Sequence, residues 1–276
     1  MTSEGREEVI DSNGEVLTAE DIAKRLQELR ELVIADNKLK GIRMDDNYLV
    51  RFLYCCDFNV QEAFKRLQEF HNMVKENPDW FTCLSPLERR VQIETQAKVM
   101  LPCKDKDGRA VYLCRIGKVD AGSSDPKQEA QLDEMWFEAI LNDSKAMGNG
   151  ISIVIDINGY SWKLFRWLTP TNLKMATKAI QLFPCKEFIF HVVNNSFLLK
   201  ASVNIAWPFM SEDIKKRIKF HFGDWSSLHE HISPEVLPPE YGGRGPAINF
   251  EKLAEWFFDQ DARIREYLKY RQLSLQ

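Results

Sequence analysis

Asp156 ends the apolar run Ile151-Ser-Ile-Val-Ile-Asp156, and a carboxylate at the end of a buried strand can serve as a general base. The same position equally suits a carboxylate that caps a loop or pairs with a basic residue, and no activated nucleophile accompanies it. His229 and His231 stand two apart without a third metal ligand. Asp105-Lys-Asp-Gly108 begins like a calcium loop but lacks the later ligands and the closing Glu, so it reads as a hairpin turn. The six cysteines, Cys55, Cys56, Cys83, Cys103, Cys114 and Cys185, form no C-x-x-C pair and read as reduced thiols. G-x-x-x-x-G-K-[ST], H-E-x-x-H and G-x-S-x-G are all absent, and Gly148-Asn-Gly150 precedes a strand instead of following one. Hydrolase and dehydrogenase chemistry thus has no anchor, and no cofactor or metal is expected.

What the chain does concentrate is apolar surface. A helix expected over 129–147 carries Trp136, Phe137 and Ile140, and the strand 151–157 presents Ile151, Ile153 and Ile155 on one face. A helix over 171–182 offers Leu173, Ala176 and Ile180, and the strand 187–193 offers Phe190 and Val192. Facing sets of this kind can line a closed apolar cavity of roughly 300 to 1,000 Å³. The segment Asn194–Met210 holds Lys200 as its single charge, with Phe197, Leu198, Ala201 and Ile205 on one helical face and Trp207 and Phe209 beyond it. A helix apolar nearly all round is either deeply buried or faces lipid. The cations Lys215, Lys216, Arg217 and Lys219 follow it directly, the combination suited to docking on an anionic bilayer.

The elements around these residues come in two blocks. Thr18-Ala-Glu-Asp21 reads as a capping box, and Ile22, Leu26, Leu29 and Val33 recur at helical spacing after it. Further helices are expected over 46–53 and 60–75, and Ser85-Pro-Leu-Glu88 signals the start of another. After residue 100, short β-branched runs at 110–115, 151–157, 187–193 and 218–222 alternate with helices, the pattern of right-handed crossovers on a mainly parallel sheet. The fold class is α/β with an N-terminal helical block. Residues 1–17 read as an acidic flexible tail, 18–98 as the helical domain, 99–248 as the sheet domain and 249–276 as a C-terminal amphipathic helix.

The 276 residues are 44% hydrophobic and 28% charged, an ordinary globular balance. A net charge of −4 argues against binding nucleic acid by bulk phosphate neutralisation. No window approaches a membrane span, and the acidic N-terminus has no apolar signal region, so a cytoplasmic monomer with transient membrane contact is expected.

Ordered motifs along nearly the whole chain carry a family resemblance. Asp46–Ala63, DNYLVRFLYCCDFNVQEA, resembles the entry helices of the CRAL-TRIO family. Asp105–Val111, Arg115–Lys118, Gly150–Gly159, Phe183-Pro184, His191–Asn194, Trp207–Met210 and Leu237–Gly243 follow that family in order. The nearest likeness is to its branch of tocopherol-transfer, clavesin and retinaldehyde-binding proteins. The resemblance implies a lipid pocket between the sheet and a mobile helical gate, here Asn195–Met210. It implies non-enzymatic binding and transfer of a small hydrophobic lipid, such as a retinoid, tocopherol, carotenoid or sterol-like molecule. The alternative is a phospholipid or phosphoinositide exchanger. Relatives that read phosphoinositides use four basic positions, and the matching residues are Lys186, Phe188, Asp213 and Arg217. With half that charge gone, Lys186, Lys215, Lys216, Arg217 and Lys219 are expected to give only salt-sensitive attraction to anionic lipid. Pro238-Pro-Glu-Tyr241 matches a WW-domain ligand but lies in the family's terminal turn, where a structural role is expected.

Overall fold

In the computed structural model, which describes residues 9–81, 84–141 and 148–274, the capping box at Thr18 closes in both directions. Thr18 Oγ1 accepts from Asp21 N at 3.1 Å, and the Asp21 carboxylate accepts from Thr18 N at 2.9 Å. It starts α1 (Ala19–Ala35). Asp45 and Asn59 cap α2 (Asp46–Cys55) and α3 (Val60–Glu76) in the same way, each side chain satisfying an otherwise orphaned helix N–H. Leu29, Leu49, Phe52, Leu67 and Phe70 close the core of this block. Ser85 N donates to Glu88 as the S-P-x-E pattern requires, but the product is a 3-10 turn leading into the short α5 (Arg90–Glu94), after α4 (Pro78–Phe81). Order begins before Thr18. Ile10 and Val16 form an antiparallel bridge, and buried Asp11 pairs with Arg25 at 2.7 Å, so the acidic segment is tied to the domain from residue 9.

Five strands lie in the order β1 (Lys98–Lys104), β2 (Ala110–Arg115), β3 (Ile151–Asp156), β4 (Phe188–Val193) and β5 (Ile218–His221). β1 is antiparallel to β2 and the other pairs are parallel. The sequence pattern did not reveal β1. Its Pro102 and its terminal lysines hide a strand that tolerates proline because it is an edge, with an irregularity between Met100 and Lys104. Asp105 makes the hairpin turn, its Oδ1 accepting from the N–H groups of Asp107 and Arg109.

Each parallel step moves one place in the same direction, so right-handed crossovers put the connecting helices on one face of the sheet. These are α6 (Pro126–Ile140), α7 (Trp162–Phe165), α8 (Pro170–Leu182), α9 (Leu199–Ala206) and α10 (Glu212–Lys216). The other face is covered by α11 (Ser226–His229) and the turns up to Gly245. Residues 142–147 of the expected 129–147 helix, and Cys83, lie outside the described residues. The C-terminal segment is two helices, α12 (Phe250–Phe258) and α13 (Asp261–Ser274), not one. The two expected domains share a single core, and a buried Arg51–Glu138 ion pair at 2.8 Å joins α2 to α6.

Candidate ligand site

Strand register sorts the apolar residues between the two faces. Tyr112, Ile153 and Phe190 are in line across the helix-covered face, as are Cys114, Ile155 and Val192 one step further on, with Phe220 beside Val192. The alternate positions Ser152, Val154, His191 and Val193 face the loop-covered side. Ser152 and His191 there are at 0% exposure and Val154 at 1%, while Ile189 beside Ser152 is half-buried. On the helix-covered side Ile153 and Phe190 keep 9% and Val192 keeps 8%, while Ile155 and Phe220 are only half-buried. Exposure on this face grows toward the C-terminal ends of the strands.

The expected lining residues divide accordingly. Ile153, Ile155, Phe190 and Val192 share the helix-covered face. Leu173 is buried and Ile180 half-buried on α8, and half-buried Ile140 ends α6. Ile151 is fully buried at the closed end of β3, and Phe137 packs edge-on against Tyr112 at 5.1 Å and beside Phe183 and Phe188, so both belong to the sealed core. Ala176 lies on the exposed face of α8. Trp136 is stacked on Phe257 at 3.7 Å between ring centroids, under the C-terminal helices. A 3.6-residue period places these side chains on helix faces, but which face meets the sheet depends on neighbours far away in sequence.

The gate begins at Leu198, which is buried; α9 itself buries no residue completely, and neither does the 3-10 turn Trp207–Phe209 after it. Ala201 is half-buried, Ile205 is exposed, Phe209 is half-buried, and Trp207 lies 6.5 Å from Phe220. Phe197 is already 77% exposed and touches Trp162, itself 57% exposed, at 6.0 Å. Trp162 was missed because a single aromatic in a loop carries no periodic signal. The entry to the gate is Asn194, which adopts a left-handed backbone with φ of 66°. Its amide donates to Asp156 Oδ1 at 2.6 Å, and Tyr241 donates to Asp156 Oδ2 at 3.0 Å. Asp156 is therefore a tether between the gate entry and the terminal turn, and Tyr241 of the P-P-E-Y segment is buried. Gly243 completes that turn because a Cβ there would meet Leu237 O at 1.9 Å.

The expected cation cluster is dispersed and mostly neutralised. Lys186 pairs with Asp57, Arg217 with Asp213 at 2.7 Å, and Lys215 with Glu212 at 2.7 Å. Lys216 is exposed. Lys219 is in register with His191 and so projects from the opposite face of the sheet to the gate. Phe188, at one of the family's basic positions, is buried among Phe137, Phe183 and Phe190.

Groups able to do covalent chemistry are muted. Burial pushes the Cys114 thiol, on the pocket side, up to about 12 and the Cys103 thiol up to about 11. The described residues contain no group of three or more His, Cys, Asp or Glu side chains that could hold a metal, and no helix long and apolar enough to cross a membrane.

A parallel sheet with a short, incompletely buried helix toward its strand ends accompanies a sequence match to the CRAL/TRIO domain over residues 94–243. The chain belongs to the CRAL-TRIO family. Clavesin-2 of Rattus norvegicus is 27% identical over 239 residues, covering 86% of this chain and 73% of that protein. Clavesin-1 of Xenopus laevis is 29% identical over 240 residues, covering 86% and 72%. The crystal structure of Sfh5 superposes with a TM-score of 0.55 at 14% identity, covering 91% of this chain and 100% of that one, a likeness of fold.

Proposed function

We propose that this protein binds one small hydrophobic lipid between the helix-covered face and the gate, and transfers it between membranes without catalysis. The observation that carries the reading is the unequal closure of the two sheet faces around Ile155, Val192 and Phe220. A ligand burying on the order of 500 Å² at ~25 cal/mol/Å² gains about 12 kcal/mol before ordering costs, so no charged contact is required. Retinoid, tocopherol, carotenoid and sterol-like molecules fit this chemistry. Phosphoinositide exchange is disfavoured because Lys186 and Arg217 already have carboxylate partners and Phe188 fills a third basic position.

Transfer would take place during brief contact of a cytoplasmic monomer with a membrane, the gate facing the bilayer. Phe197 and Trp162 are exposed before any opening, so they supply the first contact at no cost of unburial. Opening then exposes Leu198 and the covered parts of Trp207 and Phe209, each large side chain costing up to about 1.5 to 3 kcal/mol in water, a cost that lipid removes. Organic extraction of the purified protein followed by mass spectrometry tests the reading. One class of apolar lipid near one molecule per chain is expected; a phosphoinositide at that stoichiometry, or no lipid that can be recovered or loaded, would overturn it.

A further inference from the structure

The helix α9 carries the polar side chains Lys200, Ser202 and Asn204. Lys200 and Asn204 are exposed, and among the described residues Ser202 alone makes a side-chain hydrogen bond from α9 to another element. Its partner is Tyr160, at 3.1 Å, in the turn that follows β3. Ser202 has a single hydroxyl proton, which Oγ gives to the Leu198 carbonyl at 3.0 Å, so Tyr160 is the donor to Ser202 Oγ. The bonds thus run from Tyr160 through Ser202 to the buried start of the gate at Leu198. Tyr160 itself is firmly placed. Its N–H donates to Ile157 O at 3.1 Å, and the turn before it lies so close to Gly117 that a Cβ there would meet Asn158 O at 2.2 Å. Burial pushes the Tyr160 hydroxyl up, so the bond is partly shielded from water. Two residues further on, Trp162 meets Phe197 at 6.0 Å. The segment 160–162 therefore touches the gate twice, through half-buried hydroxyls and through exposed rings.

We propose that Tyr160 is the latch of the gate: its hydrogen bond to Ser202 holds α9 down in water, and contact of Trp162 and Phe197 with a bilayer releases it. The inference rests on the reading of α9 as a gate. In water, parting the latch also parts the ring pair and exposes more of both rings. Among lipid chains each ring finds other apolar neighbours, and the freed hydroxyls meet headgroups and interfacial water, where tyrosine is favoured. Opening becomes conditional on docking, which keeps a bound lipid out of the aqueous phase until a membrane is present.

Hydrogen–deuterium exchange of the α9 amides in the full chain reads the opening of the gate with no assumption about the lipid carried. Without vesicles, Tyr160→Phe, which keeps the ring and loses the donor, should raise exchange across Leu199–Ala206 about fivefold, the net worth of one hydrogen bond, and leave β3 and β4 unchanged. Ser202→Ala should act alike, and the double variant should go no further than the larger single effect, because both changes remove one and the same bond. On vesicles of equal parts phosphatidylcholine and phosphatidylserine, with binding followed by sedimentation, wild type and Tyr160→Phe should come within about twofold of each other. Unchanged exchange in Tyr160→Phe without vesicles, additive effects of the two substitutions, or a rise shared by β3 and β4 would overturn the latch. A difference of about fivefold that persists on the vesicles would overturn its release by the membrane, as would a protein that does not sediment with them. Failure to recover or load a lipid would overturn the transfer reading without altering these exchange rates, so the two failures are distinguishable.

Discussion

The same four parallel strands present two faces that are closed by different means. The loop-covered face is locked by polar contacts: Ser152 donates to Asp105 at 2.6 Å, the His191 and His221 rings meet at 3.0 Å, His221 meets Ser227 at 2.9 Å, and Tyr241 reaches Asp156. The helix-covered face is closed mainly by aromatic and aliphatic packing, with a polar contact from Tyr112 to Asp133 at 2.7 Å near the sheet edge, and toward the strand ends by a helix with no fully buried residue. Hydrogen bonds at fixed distances tolerate little displacement, whereas apolar surfaces can separate and re-form against another apolar partner. The contacts between the sheet and the gate are accordingly those a lipid could replace, apart from the Tyr160–Ser202 hydrogen bond at 3.1 Å, which would have to break for the gate to open.

The sharpest break of this comparison uses adjacent residues of β3. Ile155→Trp should fill the open space, lowering lipid uptake by tenfold or more with a small change in melting temperature. Val154→Trp, one position away on the sealed face, should overpack the core by about 1 to 3 kcal/mol or more and melt the protein early while any folded fraction still takes up lipid. Equal effects of the two variants on uptake and on melting would erase the distinction between the faces.

Next in size is the membrane contact. Trp162→Asp with Phe197→Asp removes exposed aromatics that support no core, and should cut vesicle binding more than tenfold while bound lipid is retained. Vesicle sedimentation of the double variant at the wild-type level would remove this end of the gate from the contact.

A pH titration sharpens the sealed face. Burial and the neighbouring imidazoles hold His191 down at about 3, and burial with His231 holds His221 down at about 4. Lys219 and Arg109 also disfavour protonation around this cluster, while Asp105, Asp107 and Glu230 act on His231 in the opposite sense. Both histidines have folded pKa values below the unfolded one near 6.5, so the unfolded chain takes up protons first. Stability should be fully present above pH ~6.5 and fall as pH drops toward 4 and then 3. Denaturant midpoints measured across that range should decline less steeply for His191→Gln than for the wild type.

The smallest effect is expected from charge. Lys216→Ala should weaken binding to anionic vesicles no more than about fivefold, since one cation contributes about 1 kcal/mol and its neighbours Lys215 and Arg217 are already paired. A larger loss, measured at low and physiological salt, would mean that attraction by charge outweighs the apolar contact.

Much of the architecture was legible because it rests on local rules. Thr18, the Asp105 turn and the four parallel strands announce themselves through capping, turn chemistry and β-branched runs, all of which act within a few residues. β1 escaped because an edge strand may carry Pro102 and charged ends without penalty from a second neighbour. The C-terminal helix was legible as helical, but its break at Asp259–Gln260 was not.

For the site, sequence periodicity by itself determined that Ile153 and Ile155 share one face of their strand and that Phe190 and Val192 share one face of theirs, because side chains on a strand alternate whatever the surroundings; the register brought the two pairs to the same side of the sheet. Tertiary structure alone decided what lies opposite each of them. Trp136 went to the C-terminal helices, Ala176 to solvent, Lys219 to the opposite face, and Lys186 and Arg217 to carboxylate partners. Asp57 and Lys186 are more than a hundred residues apart, as are Trp136 and Phe257, and no local period encodes a contact that only chain folding brings about.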